Sequence, residues 1–358
     1  MAVPLLFQPI TFRSVTARNR IAISPMCQYS ADDGLGWDWH VQTLGSKAAA
    51  GPGIVFTEAT HTSAVGRITP GCLGAYRAEH AEFLRRLATL ITYSGAVPGI
   101  QISHAGRKAS SQRPWEGGKA LLPSDGGWEA MALSGIPFHD NSPPPHEMSA
   151  SELQGIVAEF AASVAMARQA GFKVVEMHAA HGYLLHSALS PISNTRNDGY
   201  GGDLAGRARL LMEVLDAVRA EWPNDLPLFV RLSCTDWMQG GLTADDTVQV
   251  ARWLRARGDV DLIDCSTGGV SPAARIPSVH PGYQVPYADR IRREAGIATG
   301  AVGMIRSADQ AEEILGNERA DIVFIGRSVL ADPAWTLRAA DTLGVPLDLP
   351  VQYQRSRH

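Results

Sequence analysis

Short runs of apolar residues punctuate the chain without alternating with polar ones. They fall at 20–25 (RIAISP), 53–59 (GIVFTEA), 97–104 (VPGIQISH), 172–178 (FKVVEMH), 227–233 (PLFVRLS), 261–267 (DLIDCST), 298–303 (ATGAVG) and 321–326 (DIVFIG). Continuous runs of this length suit strands buried on both faces, as in a parallel sheet. Between them the pattern turns helical, over 78–94, 149–170, 206–222, 243–258, 284–295, 307–316 and 332–342, with a weaker segment at 40–50. Ser149, Thr243 and Ser307 each precede such a segment, where a hydroxyl can accept from the free N–H groups of a first turn. Eight strands alternating with helices predict a parallel sheet, and the count favours a closed (β/α)8 TIM barrel over an open one. No GxGxxG opens the first strand–helix unit, which weakens an open dinucleotide-binding sheet. The pattern breaks once. Residues 105–148, after the third strand, are rich in Gly, Pro, Ser and Trp. A loop this long is commonly functional or disordered, and in a barrel it would form a lid over the carboxyl ends of the strands; the bland alternative is a surface excursion.

Composition narrows the class of function. The 45% hydrophobic and 19% charged content suits a globular protein with a full core. A net charge of -4, with both signs mixed along the chain, gives no basic stripe for nucleic acid. Cys27, Cys72, Cys234 and Cys265 are scattered with no CxxC. They read as reduced thiols rather than a zinc ribbon, an iron–sulfur ligand set or a disulfide framework. Neither a secretory segment nor a bilayer-length apolar run is evident, so a soluble, cytoplasmic protein without a membrane partner is expected.

Barrel chemistry belongs at the carboxyl ends of the strands. There the chain places Ser24, Pro25, Met26, Cys27, Gln28 and Tyr29, then Glu58, Ala59 and Thr60, then Gln101 and His104, then His178 and His181, with Arg231 inside the fifth strand. Any one of these reads equally well as a satisfied core polar group; their convergence points to a site. The seventh and eighth strands end in Gly303 and in Gly326-Arg327, the usual phosphate position, where bare backbone N–H groups and a forked cation can meet an anion. The stretch EMHAAHGYLLHSALSP (176–191) sets His178, His181 and His186 around Tyr183. A metal wants three or four convergent ligands, and the chain lacks HExxH or a companion carboxylate at helical spacing; a metal-dependent barrel hydrolase therefore stands as the alternative. The other reading is an oxyanion cradle. His178 and His181 would donate to one carbonyl oxygen, each such donor worth ~3 kcal/mol, and Tyr183 would supply a proton. His186, beyond the turn, reads as a packing residue.

The same residues carry a family resemblance. The segments RNRIAISPMCQYSADDG (18–34), GRITPGC (66–72), GIQISHAGRKAS (99–110), AGFKVVEMHAAHGYLLHSALSPISNTRNDGYGG (170–202), GAVGMI and FIGRSVLADP resemble the Old Yellow Enzyme family of FMN-dependent ene-reductases. The subgroup is that of thermophilic-type enzymes, NADPH dehydrogenases and xenobiotic reductases, and matches run from about residue 6 to 355. The resemblance implies one FMN-binding barrel domain over 1–358 with the insertion at 105–148. It implies Ser24, Pro25, Met26, Cys27 and Ala59 along the isoalloxazine, Gln101 at its pyrimidine side, Arg231 near N1 and O2, and Gly303, Gly326 and Arg327 on the phosphate. It places His178 and His181 on a substrate carbonyl or nitro oxygen, with Tyr183 as proton donor and Tyr29 assisting. Cys27 would tune the flavin, where other branches carry Thr.

By the same resemblance NADPH or NADH is the hydride donor and activated alkenes (enones, nitroalkenes) are reduced in a ping-pong cycle. A homodimer or homotetramer is implied, in which Arg355, after QY, reaches a neighbouring active site; the ending beyond it differs from the aromatic one of some relatives, and a solvated basic tail is the alternative. Trp115 is a candidate lid residue. A flavin- or ligand-binding protein without turnover is the further alternative.

Overall fold

A computed structural model describes residues 3–356. Eight parallel strands close into a barrel: β1 (Ile21–Ile23), β2 (Ile54–His61), β3 (Val97–Ser103), β4 (Val174–Ala179), β5 (Leu228–Ser233), β6 (Leu262–Ser266), β7 (Thr299–Ala301) and β8 (Ile322–Ile325). Each pairs with the next in the chain, and Val323 opposite Ile21 closes the ring. Around it run α1 (Asp38–Ala49), α2 (Ala78–Tyr93), α3 (Ala150–Ala170), α4 (Leu184–Leu189), α5 (Leu204–Glu221), α6 (Ala244–Arg257), α7 (Val285–Ala295), α8 (Ala308–Gly316), α9 (Arg327–Ala331) and α10 (Trp335–Thr342). The TIM barrel expected from the apolar runs is therefore present. Ser149, Thr243 and Ser307 cap α3, α6 and α8, accepting from the N–H groups of Glu152, Asp246 and Gln310; such caps are worth about 1 kcal/mol each.

Two apolar clusters divide the strand side chains. One lies between barrel and helices. The other fills the amino-terminal half of the barrel interior and includes Phe56, Val174, Phe229, Leu262 and Phe324. The Phe56 ring centroid lies 6.3 Å from Phe229 and 5.8 Å from Phe324. Gly99 and Gly300 make room for them: a Cβ at either would come within 2.7 Å of Phe56 or 2.3 Å of Phe324. Large rings beside absent side chains fill the barrel. A hairpin of Ile10–Phe12 and Val15–Ala17, not anticipated from the pattern, adds Phe12 to this cluster, 5.1 Å from Phe229.

Residues 105–148 form three short 3-10 turns and a two-residue ladder of Met131–Ala132 with His146–Glu147. The segment is tied down at several points. Arg196 donates to the carbonyls of Leu133 (3.0 Å) and Met148 (2.6 Å). Trp128 donates from Nε1 to the Val65 carbonyl at 2.8 Å, and the Arg67 guanidinium covers its ring. Arg107 donates to the carbonyls of Ile136 and Pro137. Among the described residues no helix is long and apolar enough to cross a membrane.

Candidate active site

Two residues beyond the apolar layer, the inward-facing positions of the same strands turn polar. Gln101 sits opposite Glu176, and Arg231 sits between His178 and Asp264. Gln101 donates from Nε2 to Glu176 Oε1 at 2.7 Å, and Arg231 Nε pairs with Asp264 Oδ2 at 2.9 Å. All are buried. Burial pushes both carboxyls upward, and for Glu176 the nearby Asp264 adds to the push. Glu176 Oε2 and Asp264 Oδ1 find no hydrogen-bond partner. Buried polar atoms of this kind call for a partner such as water or a ligand.

The turn from β4 to α4 shapes the histidine site. His181 and Gly182 are both left-handed, at φ 59° and 75°. A Cβ at Gly182 would lie 2.2 Å from the Gly269 carbonyl oxygen, so the two loop backbones touch there. His186, fully buried, pins the turn from behind. Its Nδ1 accepts the Gly182 N–H at 2.8 Å, and its Nε2 lies 3.0 Å from Asp236 Oδ1. The packing role expected for His186 is what the structure shows. His178 Nδ1 accepts the Ala180 N–H at 3.2 Å, which leaves the ring hydrogen on Nε2 as a donor. The rings of His181 and Tyr183 stand nearly perpendicular to that of His178, at 5.1 and 4.9 Å. Burial, reinforced by neighbouring cationic and imidazole groups, holds both histidines well below the usual imidazole range, so both stay neutral. Tyr183 is pushed well above the usual phenol range by burial and keeps its proton. One departure from the paired-donor expectation is plain: His181 Nε2 is engaged with Ser266 Oγ at 2.6 Å. His181 can meet a substrate oxygen only through its other nitrogen or by releasing Ser266.

Beyond β1, Cys27 lies against Ile68, Cys72 and Ala105. Burial, then Cys72 and Glu58, push its thiol well above the usual range, so it is an S–H and no thiolate. Tyr29 is left-handed (φ 50°), its carbonyl accepting from Arg113 Nε at 2.8 Å and its ring 6.0 Å from Trp115. Glu58 holds this loop from behind, accepting the Gln28 N–H at 3.1 Å and facing His40 Nε2 at 3.2 Å. Ala59 pairs with Gln101 across β2 and β3.

Two cavities open here. One of about 370 Å³ runs from His181, Arg231 and Ser266 to Gly303, Arg306, Gly326 and Arg327. Ser24 and Met26 flank it, each 3.9 Å from where a Gly326 side chain would begin. The other, about 700 Å³, lies beneath residues 105–148 and is lined by Tyr29, Lys108, Trp128, Phe138 and Tyr183. Pro25 continues the β1 end between Ser24 and Met26. Arg355 lies apart, exposed on the turn Val351–Ser356 and lining neither cavity.

Lys108 escaped the sequence reading. Its ammonium donates to the carbonyls of His181 (2.8 Å) and Gly269 (3.1 Å) and sits over the rings of Phe138 and Tyr183. Burial and then Arg107 lower it to about 8. Glu176 and Asp264 were also missed, although the period of two from His178 and Ser266 puts each on the inward face.

The sequence matches the model of the NADH:flavin oxidoreductase / NADH oxidase family over residues 5–345. The chain belongs to this family. It is the Old Yellow Enzyme family to which the motifs pointed, and the protein is accordingly an oxidoreductase with FMN as cofactor. The family member is 46% identical over 353 residues to an NADPH dehydrogenase of Listeria innocua, with 98% of each chain covered. It superposes on a 2-naphthoyl-CoA reductase complexed with 2-naphthoyl-CoA with a TM-score of 0.85 and 28% identity, over 96% of its own length and 52% of that chain, so it spans about half of that protein. With morphinone reductase the TM-score is 0.79 at 23% identity, covering 97% and 91%. The residues of this flavoenzyme fit FMN on the geometry itself. Glycine-lined strand ends beside Arg306 and Arg327 suit a phosphate, and orphaned polar groups at the barrel centre suit the polar edge of a flavin ring.

Proposed function

We propose that this flavoenzyme reduces the C=C bond of activated alkenes, enones and nitroalkenes, at the expense of NADPH, with both half-reactions using one site in turn. FMN bound in this cleft would supply the hydride chemistry that links NADPH oxidation to reduction of the alkene at its β-carbon. Gly303, Gly326 and Arg327 hold the phosphate, joined by Arg306. Gln101 and Arg231 meet the polar edge of the ring, while Ser24, Pro25, Met26, Cys27 and Ala59 wall it. His178 donates from Nε2 to the carbonyl or nitro oxygen, and His181 joins it. Because both imidazoles are neutral, they stabilise developing negative charge as fixed N–H dipoles without losing a proton to it. Tyr183 gives its proton to the α-carbon. Its raised pKa keeps that proton in place until a strongly basic carbon appears. Tyr29 and the lid at 105–148 enclose the alkene, and Trp115 braces Tyr29. In a homodimer or homotetramer Arg355 extends toward the neighbour's pocket.

One observation carries this reading: a single cleft joins His181 and Arg231 to the two glycine turns, with the His178 ring 5.1 Å from that of His181 and the Tyr183 phenol lining the larger cavity. The hydrolase alternative has less to stand on. His181 is turned to Ser266 and His186 to Asp236, and among the described residues no three His, Cys, Asp or Glu side chains gather as a metal site. The test is anaerobic. NADPH should bleach the flavin spectrum of the purified protein, and cyclohexenone should then restore it. A spectrum untouched by NADPH would mean a flavin-binding protein without turnover, and bleaching that no enone or nitroalkene reverses would overturn the substrate class.

A further inference from the structure

The centre of the barrel holds two buried carboxyl groups, Glu176 and Asp264, and one guanidinium, that of Arg231. Arg231 is the cation there, and Asp264 is its ion-pair partner, Oδ2 lying 2.9 Å from Nε. Glu176 is a second buried carboxyl with no cation of its own. Its Oε1 accepts from Gln101, and its Oε2 has no partner. The groups acting on it come from β3 (Gln101), β5 (Arg231) and β6 (Asp264). Burial is the largest influence, raising its pKa; Asp264 adds to the rise, and Arg231 and Gln101 oppose it.

Resting on the assignment of the cleft to FMN, we infer that Glu176 is a positioning residue for the flavin and takes up a proton when the flavin is reduced. Positioning follows from the hydrogen bond. Gln101 gives one amide N–H to Glu176, which fixes the orientation of the amide and leaves its Oε1 and its second N–H for the ligand. An acceptor at position 176 fixes that orientation whether or not it is charged. Proton uptake follows from the charge count. When NADPH passes hydride to the ring and leaves as NADP+, the site gains one negative charge beside a carboxyl that lacks a counter-ion. A nearby like charge favours the neutral form of a carboxylate. At pH values high enough to ionise Glu176 before reduction, one proton from solvent then forms an O–H bond on its carboxylate, no other bond breaks, and the added charge is balanced. Arg231 cannot provide this balance alone, because Asp264 shares it.

Two variants separate the two roles. Glu176→Gln keeps an acceptor for Gln101 and cannot titrate; Glu176→Leu loses both. In potentiometric titrations of the holoenzyme across neutral to alkaline pH, the wild-type flavin potential should fall more steeply with pH than that of Glu176→Gln, the excess reaching toward one proton per flavin reduced. Glu176→Gln should bind FMN within about threefold of wild type, and Glu176→Leu at least tenfold more weakly. Coincident slopes would overturn proton uptake, and wild-type FMN affinity in Glu176→Leu would overturn positioning. Should Glu176→Gln fail to hold FMN, the wild-type reduced-minus-oxidised infrared difference spectrum decides: a carboxyl C=O band must appear on reduction, and its absence refutes the proton uptake. A wild-type protein that binds no FMN would instead overturn the reading of the cleft. One that binds FMN and is bleached by NADPH, yet shows coincident slopes, loses only this inference.

Discussion

The two halves of the barrel interior use the same strands for opposite ends. Val174 and Glu176, Phe229 and Arg231, Leu262 and Asp264 are each two residues apart, facing the same interior. In the amino-terminal half the positions are apolar and the rings touch. In the carboxyl-terminal half, one step along, they carry buried polar atoms without partners. Backbone geometry is common to both, so residue type alone divides scaffold from site. Burying unsatisfied polar groups costs stability, and the phenylalanine layer beneath offsets that cost. A change below should therefore spend stability, and a change above should spend chemistry.

The largest effect is expected from Phe229→Ala. Removing a ring from the packed layer should cost about 3–5 kcal/mol, visible as a lower thermal midpoint, while the folded fraction keeps its turnover number. An unchanged midpoint would blur the division. Tyr183→Phe is the converse. Stopped-flow reoxidation by cyclohexenone should slow by roughly 10²–10⁴-fold, with NADPH bleaching rate and thermal midpoint near wild type; a fast reoxidation would remove Tyr183 as the proton donor.

Acid should attack the upper half first, because the buried neutral histidines lie there. Burial lowers His61 to about 3 and His104 to about 4, and His178 and His181 are lowered too. The unfolded chain binds these protons near pH 6.5 and the folded one does not, so the histidine contribution to stability is complete above that pH and falls below it, opposed in part by the buried carboxyls Glu58, Glu176 and Asp264, which the folded chain protonates first. The slope is about 1.4 kcal/mol per pH unit for each such histidine. Urea midpoints at several pH values between neutral and acid check this, and a flat profile would contradict it. The smallest effect belongs to Lys108→Met. Loss of its two carbonyl contacts should loosen the His181 turn and lower enone kcat/KM about tenfold, the size of one charge-assisted hydrogen bond; steady-state kinetics at saturating NADPH suffice to measure it.

Much of the fold was legible because each strand run was apolar throughout and several helices opened on a capping hydroxyl. The hairpin at 10–17 was not, since three-residue strands are too short to show a period. Nor was α4, a six-residue helix. At the site, the residues at strand ends were readable from position, but Lys108 and Phe138 meet only in the folded chain, thirty residues apart within a segment that has no period. The carboxyl-terminal end of the 170–202 motif turns out to be scaffold. In SNTRNDGYGG, Asn194 donates to the carbonyls of Ala188 and Tyr200, Arg196 holds the carboxyl-terminal part of the 105–148 segment at Leu133 and Met148, and Tyr200 donates to Glu213. Such residues identify a family by holding its loops, and the chemistry sits a few residues upstream.

The division between scaffold and site is tested most directly by titrating the flavin spectrum with a para-substituted phenol in wild type and in a His178→Ala, His181→Ala double variant. The expected result is a long-wavelength band in wild type and a loss of phenol affinity of at least about a hundredfold in the variant, roughly one donor's worth, with FMN content and thermal midpoint retained. A double variant that binds phenol as tightly as wild type would contradict the oxyanion cradle and the account built on it.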